Sequence, residues 1–268
     1  EPSVMNHHDS DVRHWRFVYE SLQDLNQRLE HFNKHIEIFH DEALHVFEEL
    51  TLNFNIQTVF SSQESGNLLT YERDINITEF LHSKNIQWNE FQTNGVVRRL
   101  KSRPQWPKMW EDTMRTPSFN IQLDTLQIYN FNSENNFNSN RNSLPTEITE
   151  RNPNFQPGGE SWAWKYLKNF IAERSVNYSK HISSPSLSRK GCSRLSPYLA
   201  YGNISMRAVY QYTVQHYQTS TNKRALSNFI SRLHWHCHFI QKLETECRYE
   251  IENINRAYNV LQKPKNEM

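Results

Sequence analysis

The chain has 268 residues, 36% of them hydrophobic and 13% aromatic, enough for one large domain or two ordinary ones with a real core. No uninterrupted apolar run approaches the roughly 20 residues of a membrane-spanning helix. Cys192, Cys237 and Cys247 are too few and too scattered for a disulfide framework or a four-ligand zinc site, so a reducing, cytoplasmic setting is expected. The formal net charge of +1 conceals an asymmetry: seven carboxylates and no Lys or Arg between His35 and Glu72, against ten Lys/Arg and the single acid Glu173 between Ser161 and Arg224. The anion-attracting surface is therefore expected in the second half.

The chain opens on Glu1, without an initiator Met or a basic-then-apolar leader, and is expected to start inside a longer protein. Val18, Leu22, Leu25, Leu29 and Phe32 recur at steps of four and three, which predicts a helix within Arg13 to Phe32. Ile36 to Phe39 then reads as a strand, Ala43 to Leu50 as a helix and Ile56 to Phe60 as a second strand, the order of a parallel crossover unit. A helix around Ile75 to His82 and a short strand near Ile86 to Phe91 extend it, so residues 1–115 are expected to form an open α/β domain on a parallel sheet. With only six glycines, the chain carries neither a dinucleotide fingerprint nor a P-loop, which argues against an ordinary NAD enzyme or NTPase.

Residues 116–157 are rich in Asn, Ser and Pro, including the run Asn130 to Ser143, and read as a linker between two domains. From residue 158 to 268 the pattern is helical throughout. Ala163, Tyr166, Leu167, Phe170 and Ile171 make one apolar face, and Leu226, Ile230, Leu233, Cys237 and Ile240 another. The segment GCSRLSPYLAYGNIS, Gly191 to Ser205, places a glycine, two hydroxyls and an arginine before an apolar run. Turn N–H groups, Ser193, Ser196 and a guanidinium at Arg194 suit a diphosphate, while Ser before Pro equally suits an ordinary helix start.

Taken in order, GGESWAW (Gly158 to Trp164), Tyr178, GCSRLSPYLAYGNIS and FISRLHW (Phe229 to Trp235) resemble the flavin-binding core of the cryptochrome/photolyase family. Upstream, RHWRFVYESLQDLN (Arg13 to Asn26) and the segment from Ser61 to Asp74 are similar to its antenna-type α/β domain. The resemblance implies a Rossmann-like photolyase antenna domain at 1–115, lacking its first strand. It also implies an all-α FAD-binding domain at 158–268, lacking the later helices that cover the isoalloxazine. It implies FAD contacts from Tyr178, Cys192, Ser193, Arg194, Leu195, Ser196, Phe229, Arg232 and His236. Trp235, with Arg232, falls where an indole packs on a flipped pyrimidine dimer in damaged DNA.

The same resemblance implies a monomeric, light-driven deoxyribodipyrimidine photolyase, with an antenna chromophore of folate or deazaflavin type. The alternatives are a cryptochrome-like blue-light receptor without repair, or a fragment with the fold and no activity. Arg232 stands where many dimer photolyases have Glu, and His236 where they have a flavin-proximal Arg. Both departures count against classical cyclobutane-dimer repair, and Arg232 in place of Glu favours the receptor. The cluster His234 to His238 reads as a packed helix face in preference to a metal pair, and His7-His8-Asp9 as exposed terminal sequence. The dispersed tryptophans carry no assigned redox role, and no catalytic residue is assigned.

Overall fold

The computed structural model describes residues 1–119, 121–129 and 144–261, so the expected linker run Asn130 to Ser143 lies outside the described residues. In chain order the elements are α1 (Pro2–Met5), α2 (Val12–Glu30), α3 (Ala43–Asn53), β1 (Thr58–Ser62), α4 (Leu68–Ser83), β2 (Gln87–Phe91) and α5 (Trp106–Arg115). Then follow α6 (Thr146–Thr149), α7 (Glu160–Ala172), α8 (Tyr178–His181), α9 (Pro185–Gly191), α10 (Ser196–Ala200), α11 (Met206–Tyr217) and α12 (Lys223–Thr245).

The strands β1 and β2 pair in parallel, Thr58 opposite Gln87 through Ser62 opposite Phe91, with α4 as the crossover. Ile77 and Leu81 of α4 close a small apolar cluster with Ile86 under Val59 and Trp88. The expected strand Ile36 to Phe39 does not form, and the sheet among the described residues has two strands instead of an open array. The reason is local. Ile36 donates its N–H to Asn26 Oδ1 at 2.7 Å, and Asn26 Nδ2 donates to the Ile36 carbonyl at 3.2 Å. One side-chain amide from α2 thus supplies the donor and acceptor that a neighbouring strand would have supplied.

Asp11 caps α2, its carboxylate accepting from Arg13 N. The face of α2 that reaches the core is turned from the expected stripe: Phe17 and Leu29 are buried, whereas Leu25 and Phe32 are 38% and 40% exposed. Phe17 joins one large apolar core with Trp106, Trp110 and Met114 of α5 and residues of α7, α10, α11 and α12. The stretch 116–157 is not featureless, because α6 docks on α2, with Ile148 buried and the Arg16 guanidinium donating to the Glu147 carbonyl at 2.6 and 3.0 Å.

Two glycines set how closely α2 and α7 approach. A Cβ on Gly158 would stand 2.1 Å from the Phe17 carbonyl oxygen, and one on Gly159 would meet the Asp24 side chain at 2.6 Å. Gly159 also holds φ at +114°, a conformation open to glycine alone in practice. That closeness lets α2 cap its neighbour: Gly158 N donates to Glu20 Oε2 at 2.7 Å and Ser161 N to Asp24 Oδ2 at 3.2 Å. Carboxylates at a helix N-terminus satisfy its orphan N–H groups and its dipole together. Among the described residues, no helix is long and apolar enough to cross a membrane.

Candidate functional site

The site is built around the turn from Gly191 to Ser196. Gly191 ends α9 in contact with α8, where a Cβ would lie 2.2 Å from His181 Nδ1, so no larger residue fits without displacing that ring. The chain then swings through Arg194 at φ +64°, the left-handed region that non-glycine residues rarely occupy, and enters α10 with Pro197 in its first turn. Such strain, of order 1–3 kcal/mol, persists only where the surroundings hold it.

Arg174 is the principal brace. Its Nη1 donates to the Cys192 carbonyl, Nη2 to Tyr166 O at 2.8 Å and Ser193 O at 3.3 Å, and Nε to Asn169 Oδ1 at 2.6 Å. Burial and then the nearby Arg194 push its pKa down, with no carboxylate bonded to it. Gln156 Nε2 donates to the Arg194 carbonyl at 3.0 Å, and Tyr198 Oη donates to Pro157 O at 2.7 Å. The carbonyls of Cys192, Ser193 and Arg194 are thereby occupied. The amides of the turn are not: the N–H groups of Ser193, Arg194, Leu195 and Ser196 donate to no protein acceptor among the described residues.

The nine expected cofactor contacts divide into two groups. Tyr178 is buried against Phe229, ring centroids 5.9 Å apart, and both rings pack on Phe170. Burial, then the Cys192 thiol, push the Tyr178 hydroxyl up to about 12, while Arg232 pulls it down, so Cys192 and Arg232 share its surroundings. Burial likewise raises the Cys192 thiol. Phe229, Arg232 and His236 lie at steps of three and four on α12. His236 Nδ1 is buried without a hydrogen-bond partner among the described residues, and burial lowers its pKa. Leu195 is buried in the core. Trp235 is 46% exposed, next to Phe239 at 5.5 Å, with the Arg232 guanidinium 6.0 Å from its ring.

Arg194 and Ser196 instead line a cavity of about 1080 Å³ together with Arg13, Arg174, Arg189 and Lys190, and the other seven expected contacts are not on its wall. Sequence reading missed Arg174, Gln156 and the cations of α9 as individuals, although the charge asymmetry pointed to this half of the chain. The rings of His234 and His238 pack on Trp106 at 4.8 and 5.8 Å, and Arg103 Nη2 donates to His238 Nδ1 at 3.1 Å. His7, His8 and Asp9 bring one potential ligand atom each within 4.8 Å of one another, His8 and Asp9 being exposed.

No family model and no curated protein matches this sequence. Solved structures do. A bacterial class III photolyase from Agrobacterium tumefaciens matches with a TM-score of 0.73 and 18% identity, over 96% of this chain and 55% of that one. The cryptochrome of Synechocystis sp. PCC6803 matches with a TM-score of 0.65 and 17% identity, over 86% of this chain and 51% of that one. The chain thus spans about half the length of the structures it matches, and over that half it has the photolyase and cryptochrome fold.

Proposed function

We propose that this chain is the half of a cryptochrome/photolyase-family flavoprotein that carries the diphosphate-binding turn for FAD, and that the intact protein is a light-driven DNA photolyase. The observation that carries the reading is the run of four consecutive N–H groups, Ser193 to Ser196, left without acceptors among the described residues in a fold shared with a photolyase and a cryptochrome. Diphosphate oxygens are the acceptors such a run suits. The Ser193 and Ser196 hydroxyls add donors, Leu195 contributes its backbone N–H, Cys192 stands beside Tyr178, and Tyr178, a phenol at neutral pH, donates its hydroxyl. Phe229, Arg232 and His236 present a ring, a cation and an unpartnered ring nitrogen on one side of α12, a fit to an extended dinucleotide.

FAD, when bound, supplies the light absorption and the one-electron chemistry. The part of the chain's own residues is to hold the cofactor and to offer a surface for a base. Trp235 and Phe239 form an exposed aromatic pair, the stacking surface that an extrahelical base needs, with Arg232 alongside for a phosphate. A second reading, a blue-light receptor, draws support from Arg232 itself, a cation where a lesion-bonding carboxylate would otherwise stand.

The test is an absorption spectrum of the purified chain after FAD is added and the excess removed. Stoichiometric protein-bound flavin is expected, and its loss in Tyr178→Ala but not in Trp235→Ala. No retained flavin would overturn the site. Binding of a duplex containing a cyclobutane dimer, compared with an undamaged duplex, separates the readings: lesion preference abolished by Trp235→Ala supports repair, and equal affinity supports the receptor.

A further inference from the structure

The cavity beside the turn is not explained by a flavin site on the α12 side, because Tyr178, Phe229, Arg232 and His236 are absent from its wall. Among the described residues its lining holds five cations and no carboxylate: Arg13 of α2, Arg174, Arg189 and Lys190 of α9, and Arg194. Arg174 is committed to backbone carbonyls. Arg13 has one exposed partner, Asp11, at 3.7 Å. The side chains of Arg189, Lys190 and Arg194 have no carboxylate or hydrogen-bond partner among the described residues. Like charges gathered in one concavity repel one another, and after burial the nearby Arg194 pushes the Arg174 pKa down. A fold keeps such a cluster at a cost that a polyanion would offset.

The wall also has rings. Tyr201 is 39% exposed and packs on Phe17 at 5.6 Å, and Phe155, 44% exposed, and Tyr166 line the same space. The volume of about 1080 Å³ lies just above the roughly 300–1,000 Å³ of small-molecule sites. The cations line one bounded cavity of this size, which favours a compact ligand over an extended nucleic-acid backbone.

We infer that this cavity is a second ligand site, for a compact polyphosphate bearing a planar ring, of the nucleoside di- or triphosphate class. Arg189, Lys190 and Arg194 grip the phosphates and Tyr201 receives the ring. The site shares Arg194 and Ser196 with the flavin turn, and takes from Arg194 its guanidinium where the flavin reading takes its backbone N–H.

The experiment is calorimetric titration of the purified chain with ATP, and separately with inorganic triphosphate, in the absence of FAD and again with FAD in excess. ATP is expected to bind in both cases and more tightly than triphosphate, with affinity falling as salt is raised. Arg189→Gln combined with Lys190→Gln, both on the exposed last turn of α9, is expected to weaken ATP at least about tenfold, roughly one charge-assisted contact, while leaving flavin retention as it was. Tyr201→Ala is expected to bring ATP down to the affinity of triphosphate. Absence of ATP binding, displacement of ATP by FAD, or unchanged affinity in the Arg189/Lys190 variant would each overturn the inference. A chain that binds no flavin but binds ATP as described would sink the flavin reading alone.

Discussion

Replacing Arg174 with Ala isolates the brace of the Gly191–Ser196 turn. The substitution removes four donated hydrogen bonds, two of them to the Cys192 and Ser193 carbonyls that fix the turn on its inner side. Bonds from a charged donor contribute about 1.5–3 kcal/mol each, and water can replace part of this at a half-buried site. Counting the two turn carbonyls, and discounting for water, Arg174→Ala is expected to lower the unfolding free energy by about 2–4 kcal/mol. The side chain also packs against Tyr166 and Phe170, its guanidinium carbon 5.7 and 5.8 Å from their ring centroids, a contact the methyl cannot make. Urea denaturation should show a lower midpoint with an unchanged slope. Arg174→Lys should recover only a fraction, because an ammonium cannot span Tyr166, Cys192 and Ser193 as a planar fork does. A midpoint for Arg174→Ala equivalent to less than about 0.5 kcal/mol of change would refute the bracing role.

Gly158→Ala should destabilise by about 1–3 kcal/mol through overpacking, since the clash is with the Phe17 and Ser21 backbone and α2 would have to back away from α7; thermal unfolding would show it as a lower Tm. Gln241 is fully buried, accepting from Val97 N at 2.7 Å and donating to Val97 O at 3.0 Å, so Gln241→Leu should cost about 1–3 kcal/mol for each group left unpaired, read by the same urea titration. Because burial raises Tyr178 above its ordinary 10 to about 12, the unfolded chain gives up its phenolic proton first on the alkaline side. Stability from this group is complete below pH 10 and is lost between pH 10 and about 12, so Tyr178→Phe should flatten that part of the stability profile. Burial lowers His236, which works in the opposite sense: its contribution is present above its ordinary 6.5 and lost on acidification, and an acid-side comparison of His236→Gln with the parent would reveal it.

What the sequence disclosed followed from repeats of spacing. The faces of α7 and α12 were legible because Ala163, Leu167, Phe170, Leu233 and Cys237 recur at helical steps and are all buried. The helix around Ile75 to His82 and the strand near Ile86 to Phe91, expected only to extend the crossover unit, form α4 and β2 and make the crossover, whereas the unit expected from Ile36 to Phe60 lacks its first strand. Ile36 to Phe39 misled because a short apolar run records a preference for extended backbone and not the presence of a partner strand, and the partner here is the amide of Asn26. Phe17 escaped because it lies one position from the periodic stripe, and what turns α2 toward it is the glycine pair about 140 residues later. The turn residues were legible only as a contiguous motif. Arg174 carries no local signature, since its role is defined by carbonyls of Tyr166, Cys192 and Ser193 that come together in the folded chain.

The capping of α7 by Glu20 and Asp24 also sets an order of events. Those bonds join residues separated by 138 and 137 positions, whereas β1, α4 and β2 complete themselves within one short stretch. Closing the long loop is the entropically expensive step and rewards the chain only once both helices exist. The parallel pair should therefore acquire protection from solvent exchange early in refolding. The amides of Gly158 and Ser161 should acquire it late, together with the burial of Phe17, so that the turn bearing Arg194 takes its strained shape only in the last stage of assembly.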